Sequence, residues 1–166
     1  MKNLNKNRIF RYNRRTRGLT DYNQRLKLLK SGMTRAVVRK SNMNTLIQLV
    51  KFDPQGDKIV ASAKSNELKK YGFKLNTGNL SAAYLTGYLL AKKSKYQEDL
   101  IVDFGLQEVI PGNRLYSAVK GMVDGGLNVR VSEEVFPDES RVKAEHLSSK
   151  EATKVFEEVK KKLEEL

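Results

Sequence analysis

Apolar and polar positions change their spacing several times along the chain, and each change marks an element. From Arg35 the sequence reads RAVVRKSN, with Ala36, Val37 and Val38 bracketed by Arg35, Arg39 and Lys40. A short apolar core flanked by cations predicts a strand that buries its middle and offers its ends to an anion. A polar turn separates it from TLIQLVKF (residues 45–52), and the DPQGD turn at Asp53 to Asp57 leads into KIVASAKS from Lys58. Gly56 supplies the positive φ that such a turn often needs. These three segments predict an antiparallel meander.

Helical spacing holds elsewhere. Upstream, Thr20 is the expected cap of a helix carrying Tyr22, Leu26 and Leu29, with Asp21 in its first turn and Gly32 as its stop. SNELKKYG (65–72) predicts a short helix stopped by Gly72. Asn79 is placed to cap a helix over about Leu80 to Tyr96, apolar nearly all round and hence buried. DLIVDFG from Asp99 predicts a fourth strand. A helix then runs from about Asn113 to Gly125 or Gly126, and LNVRVS from Leu127 suggests a fifth, short strand. Ser148 and Glu151 form a capping box ahead of a last helix whose stripe is Ala152, Val155, Phe156, Val159 and Leu163. On its polar side Glu157 with Lys161, and Glu158 with Lys162, have i,i+4 spacing. A meander followed by strand, helix, strand, helix gives an α/β fold with a mixed sheet. The expected division is a basic arm (1–18), a mixed α/β domain (19–146) and a C-terminal amphipathic helix (147–166).

Charge changes this picture most. The chain carries +13 formally, with 31% charged residues among 166. Residues 1–40 hold 13 of the 32 Lys and Arg and only one acid, Asp21, so nearly all of the excess lies there. Such asymmetry points to a polyanion, either nucleic acid or an anionic membrane surface. Within the arm, Phe10 and Tyr12 alternate with Arg8, Arg11, Arg14, Arg15 and Arg17. Arginine interleaved with aromatics suits phosphate contact combined with base stacking. The arm has almost no apolar face to offset its ordering entropy, so it is expected to order on RNA rather than alone.

Other chemistry is sparse. No cysteine excludes a disulfide framework, a thiolate nucleophile and a Cys-type zinc site, and the single histidine, His146, excludes a histidine-rich metal site. The first thirty residues lack an apolar signal core, and Leu80 to Ala91 is too short and too interrupted to span a bilayer. A soluble, intracellular protein with no cofactor is therefore expected. Asp103 and Asp124 together would make a metal-binding carboxylate pair for an RNA-processing enzyme; separately, Asp103 orients a turn and Asp124 is a solvated helix residue. Thr77 to Asn79 opens a helix, where free amides bind a phosphate or simply take a cap.

The phrases TDYNQRLKLLKSG, VVRKSN, TGNLSAAYLTGYLLAKK, VDFGL, PGNRLYSAVKGMVDGGLNV and EEVFPDESRVKAEH stand in this order from Thr20 to His146. Together they resemble the archaeal form of the large-subunit ribosomal protein family that binds 5S rRNA, the eighteenth of the large-subunit series. The resemblance implies a mixed α/β domain, no enzymatic activity and a cytoplasmic place in the central protuberance of the large ribosomal subunit. The implied partners are 5S rRNA, large-subunit rRNA and neighbouring ribosomal proteins, with no membrane. Taken with the arm and the strand ends, the expected RNA-contacting residues are Arg8, Arg11, Tyr12, Arg14, Arg15, Arg17, Arg25, Arg35, Arg39, Lys40, Ser41, Asn42, Asn44, Thr77 and Asn79. The chain departs from the family pattern at Met43 and Asn44, where a lysine and a histidine are usual, and at Ala144, where a glycine is.

Overall fold

A computed structural model describes residues 11–94, 96–145 and 150–166. Strands β1 (Thr34–Lys40), β2 (Thr45–Lys51) and β3 (Lys58–Lys64) form the meander, and β4 (Leu100–Asp103) joins it, giving the order β3-β2-β1-β4. The first two pairings are antiparallel; β4 runs parallel to β1, pairing Arg35 with Ile101 and Val37 with Asp103. The fold is the expected α/β class with a mixed sheet.

Period-two alternation decides which side chains meet the core. Ala36, Val38, Ile47, Leu49, Ala63 and Leu100 are all fully buried on the inner face. Against that face packs α3 (Leu80–Ser94), buried from Ser81 to Ala91 over β2 and β3, and beside it α4 (Arg114–Asp124), which meets β1. The two helices approach backbone to backbone. A Cβ at Gly87 would lie 2.1 Å from the Ala118 carbonyl oxygen, and one at Gly121 would lie 2.0 Å from that of Tyr84. Only glycine permits this crossing.

The last helix, α6 (Lys150–Glu164), docks on the same body. Ala152, Phe156, Val159 and Leu163 are buried, and the Phe156 ring lies 5.6 Å from that of Tyr84. Lys160 caps the rings of Tyr84 and Tyr88 at 5.9 and 5.7 Å. Burial pushes the Tyr84 phenol up, and its hydrogen bond to Asp124 pushes the same way. The i,i+4 pairs expected on this helix do not close; Lys162 donates instead to the Tyr71 carbonyl at 3.2 Å.

Several boundaries differ from expectation for local reasons. Asp21, not Thr20, caps α2 (Tyr22–Lys30): its Oδ1 accepts from the amides of Asn23 and Gln24, while Thr20 accepts from Arg14 Nε. Residues 65–71 form a 3-10 segment that ends at the left-handed Gly72. The fifth strand is reduced to one bridge between Val129 and Leu100, with Leu100 N donating to Asn128 O at 2.9 Å. Asn79 does cap α3, accepting from Ala82 N at 2.7 Å. Ala144 takes φ +61 and is buried. This left-handed conformation suits the glycine usual there and costs an alanine roughly 1–2 kcal/mol, offset in part by its buried methyl. His146 and Ser148 lie outside the described residues.

Candidate nucleic-acid interface

Helices close the inner face of the sheet, and the outer face carries the charge. Arg35, Val37 and Arg39 on β1 and Asp103 on β4 share it, with α2 laid across one end. Between α2, the sheet and the loop at Gly105 and Leu106 opens a cleft of about 650 Å³, into which Arg14, Arg25, Arg35 and Arg39 face.

Two aspartates organise these arginines. Arg35 Nη2 meets Asp57 Oδ2 at 2.6 Å and its Nη1 meets Asp103 Oδ2 at 3.2 Å. Arg25 Nη2 shares Asp57 at 2.8 Å, tying α2 to the sheet. Arg39 donates to Asp103 Oδ1 at 3.0 Å and, through Nη1, to the carbonyls of Asp103 and Val38. Burial pushes the Asp57 carboxyl up, but the guanidiniums of Arg25 and Arg35 outweigh it and hold the group below its ordinary value. Three cations on two anions leave one positive charge in the network.

The expected RNA set is distributed unevenly. Arg35 is a correction: it is 2% exposed and consumed by Asp57 and Asp103, with Nε lacking a partner among the described residues. Its strand position, read as an end offered to an anion, is covered by α2 and by β4. Arg39 remains 39% exposed at its side chain although hydrogen-bonded. Arg11, Tyr12, Arg14, Arg15 and Arg17 are exposed. Residues 13–16 form a single helical turn (α1, Asn13–Thr16), and the Tyr12 ring packs 5.0 Å from that of Tyr22. So this part of the arm has local order without RNA. Arg8 lies outside the described residues.

The RKSN segment makes a tight hairpin loop. Ser41 N donates to Asn44 O at 2.8 Å, and Asn44 N to Ser41 Oγ at 3.0 Å. The Lys40 backbone is clamped by the Gln107 amide, leaving its side chain half-exposed. Asn42 and Met43 point outward, while Asn44 Oδ1 sits 3.4 Å from the hydroxyls of Ser65 and Thr77. The phosphate reading of Thr77 to Asn79 also needs correction. Thr77 is buried and donates to Met43 O at 2.7 Å, Gly78 N is taken by Asn76 Oδ1, and Asn79 is a cap. Sequence reasoning missed Arg114, whose guanidinium donates to Ser41 O at 2.8 Å and to Gly78 O. An arginine opening a helix after PGN was the one signal for it.

The carboxylate pair does not exist as a site. Asp103 is held on the outer face by two arginines and orients the following turn through Gly105 N; Asp124 ends α4 and accepts from the Tyr84 hydroxyl at 2.7 Å. Among the described residues no group of three or more His, Asp or Glu could hold a metal ion. No helix is long and apolar enough to cross a membrane, again among the described residues.

The profile of the family described as ribosomal large subunit proteins 60S L5 and 50S L18 matches residues 7–100. A large ribosomal subunit protein uL18 from Methanoregula boonei is 46% identical over 140 residues, covering 83% of this chain and 80% of that one. Its namesake from Methanococcoides burtonii is 44% identical over 158 residues, 92% of this chain and 91% of that one. A third, from Korarchaeum cryptofilum, is 45% identical over 141 residues, or 84% and 72%. The chain therefore belongs to the uL18 family of large-subunit ribosomal proteins, structural components of the cytoplasmic ribosome and not enzymes.

Proposed function

We propose that this protein binds 5S rRNA and anchors it in the central protuberance of the large subunit. The observation that supports the reading is the segregation of charge: helices cover the inner sheet face, while Arg14 of the arm joins Arg25 and Arg39 at the outer-face cleft and Arg11, Arg15 and Arg17 are exposed. Arg11, Arg14, Arg15, Arg17 and Arg25 are the cations assigned to phosphates, with Arg8 alongside them in sequence. Arg39 and Lys40 flank the hairpin loop, and Ser41, Asn42 and Asn44 supply polar groups to it. Tyr12 is assigned to base stacking, at the expense of its contact with Tyr22. Thr77 supports the loop from behind, Asn79 caps the helix that follows, and Arg35 shares Asp57 and Asp103 with Arg25 and Arg39. The arm acts as one unit and the α/β body with its docked C-terminal helix as another. Neighbouring proteins and large-subunit rRNA complete the surroundings.

Filter binding of the purified protein to 5S rRNA and to an unrelated structured RNA of similar length tests this directly. At moderate salt, 5S rRNA binds at least tenfold more tightly, and the protein co-sediments with large subunits. Equal affinity for both RNAs would overturn the 5S assignment.

A further inference from the structure

The Ser41–Asn44 loop is the most projecting part of the sheet, yet its backbone is held from behind at three points. Arg114 donates one arm of its fork to Ser41 O at 2.8 Å and another to Gly78 O. The buried Thr77 donates to Met43 O at 2.7 Å. Gly78 lies so close that a Cβ there would sit 2.3 Å from Asn42 O. Three successive loop carbonyls, those of Ser41, Asn42 and Met43, thus face the body. With those carbonyls bound inward, the side chains of Asn42 and Met43 are presented outward in one arrangement, and Met43 is 73% exposed.

We infer that Arg114 is a positioning residue for RNA recognition: it touches no RNA but fixes the Ser41–Asn44 loop in its binding conformation. This rests on the assignment of that loop to RNA. Its planar fork reaches two carbonyls on separate loops with two different nitrogens held in fixed geometry, which the compact ammonium of a lysine does not reproduce. Ordering the loop in advance removes an entropy cost from binding, which appears in affinity. It leaves counterion release, and so the salt slope, unchanged, because no phosphate contact is lost.

The test is RNA affinity of the full chain over a salt series, with thermal melting alongside. Arg114→Ala is expected to weaken 5S rRNA binding about tenfold with an unchanged slope, and Arg114→Lys to restore little of it, whereas Lys40→Ala flattens the slope. Gly78→Ala pushes the loop outward while keeping the Arg114 guanidinium and gives the same weaker binding at constant slope; it serves if Arg114→Ala does not fold. A flattened slope for Arg114→Ala would make this residue a direct phosphate contact and overturn the inference. Full rescue by lysine would overturn it too, since charge alone would then suffice. Unchanged affinity for Arg114→Ala and Gly78→Ala, with Lys40→Ala still weaker, overturns positioning but leaves RNA binding standing. If none of the three variants changes affinity, the loop's assignment to RNA fails as well.

Discussion

Arg35 and Asp103 sit on adjacent parallel strands, each buried and each tolerated there through charged partners, Asp57 and Asp103 for the arginine and Arg35 and Arg39 for the carboxylate. Removing the Asp103 carboxylate leaves the buried Arg35 with Asp57 alone and Arg39 without its ion-pair partner. Asp103→Ala is expected to cost about 3–5 kcal/mol in urea denaturation. Arg39→Ala removes only a half-exposed partner, so it should lower stability less while also weakening RNA binding. Asp57 carries a pH signature. Its carboxyl titrates lower in the folded protein than in the unfolded chain, so its contribution is complete above the ordinary value near 3.8 and is lost as pH falls through the depressed folded value. Asp57→Asn should therefore remove stability at neutral pH and flatten the acid limb below about pH 4, as followed by circular dichroism.

At the scale of elements, the tightest joint is α3 on α4. Gly87→Ala places its methyl against a carbonyl of the neighbouring helix, and both helices must move apart. A loss of about 2–3 kcal/mol is expected, seen as a lower melting temperature. The C-terminal helix behaves differently, because its hold is one aromatic side. Phe156→Ala opens the contact with Tyr84 and should cost about 3–5 kcal/mol in the free protein, without any ribosomal neighbour. These elements were legible in advance where the pattern is local. Short apolar runs between cations and turns marked the meander, all-round apolarity marked α3 as buried, and the stripe ending in Leu163 marked a docking face. What local pattern could not show was partnership across the chain. Arg35 looks like any strand-end cation until Asp57 and Asp103, distant in sequence, close on it. Arg114 reads as a surface arginine until two loops turn their carbonyls towards it, and LNVRVS reads as a strand although it meets β4 at a single bridge.

Across the whole molecule, charge and stability occupy different regions. The core lies between the inner sheet face and the helices, while the cationic excess lies in the arm and on α2. Deleting residues 1–18 removes seven Lys and Arg. Each lost phosphate contact should flatten the salt dependence of RNA binding by roughly 0.7 to 0.9 log units per log salt. The melting temperature should move little, since the arm's described contacts, Tyr12 on Tyr22 and Arg14 on Thr20, are both at the surface. An unchanged slope would reduce the arm to a solubilising tail.

The parallel pairing of β4 with β1 also sets an order of assembly. Residues 34–64 can close on themselves through short turns, but β1 then keeps one edge open and Arg35 lacks its second carboxylate. Both are completed only when Leu100–Asp103 arrives, after the chain has passed through α3. Closing so long a loop is slower than closing a hairpin. During synthesis the meander is thus an incomplete sheet with an exposed edge, already carrying the basic arm, until residue 103 is made. The arm and the RKSN loop both precede β4, so the segments assigned to RNA are made before the sheet is finished, and until then the open edge of β1 is a place where another copy can pair.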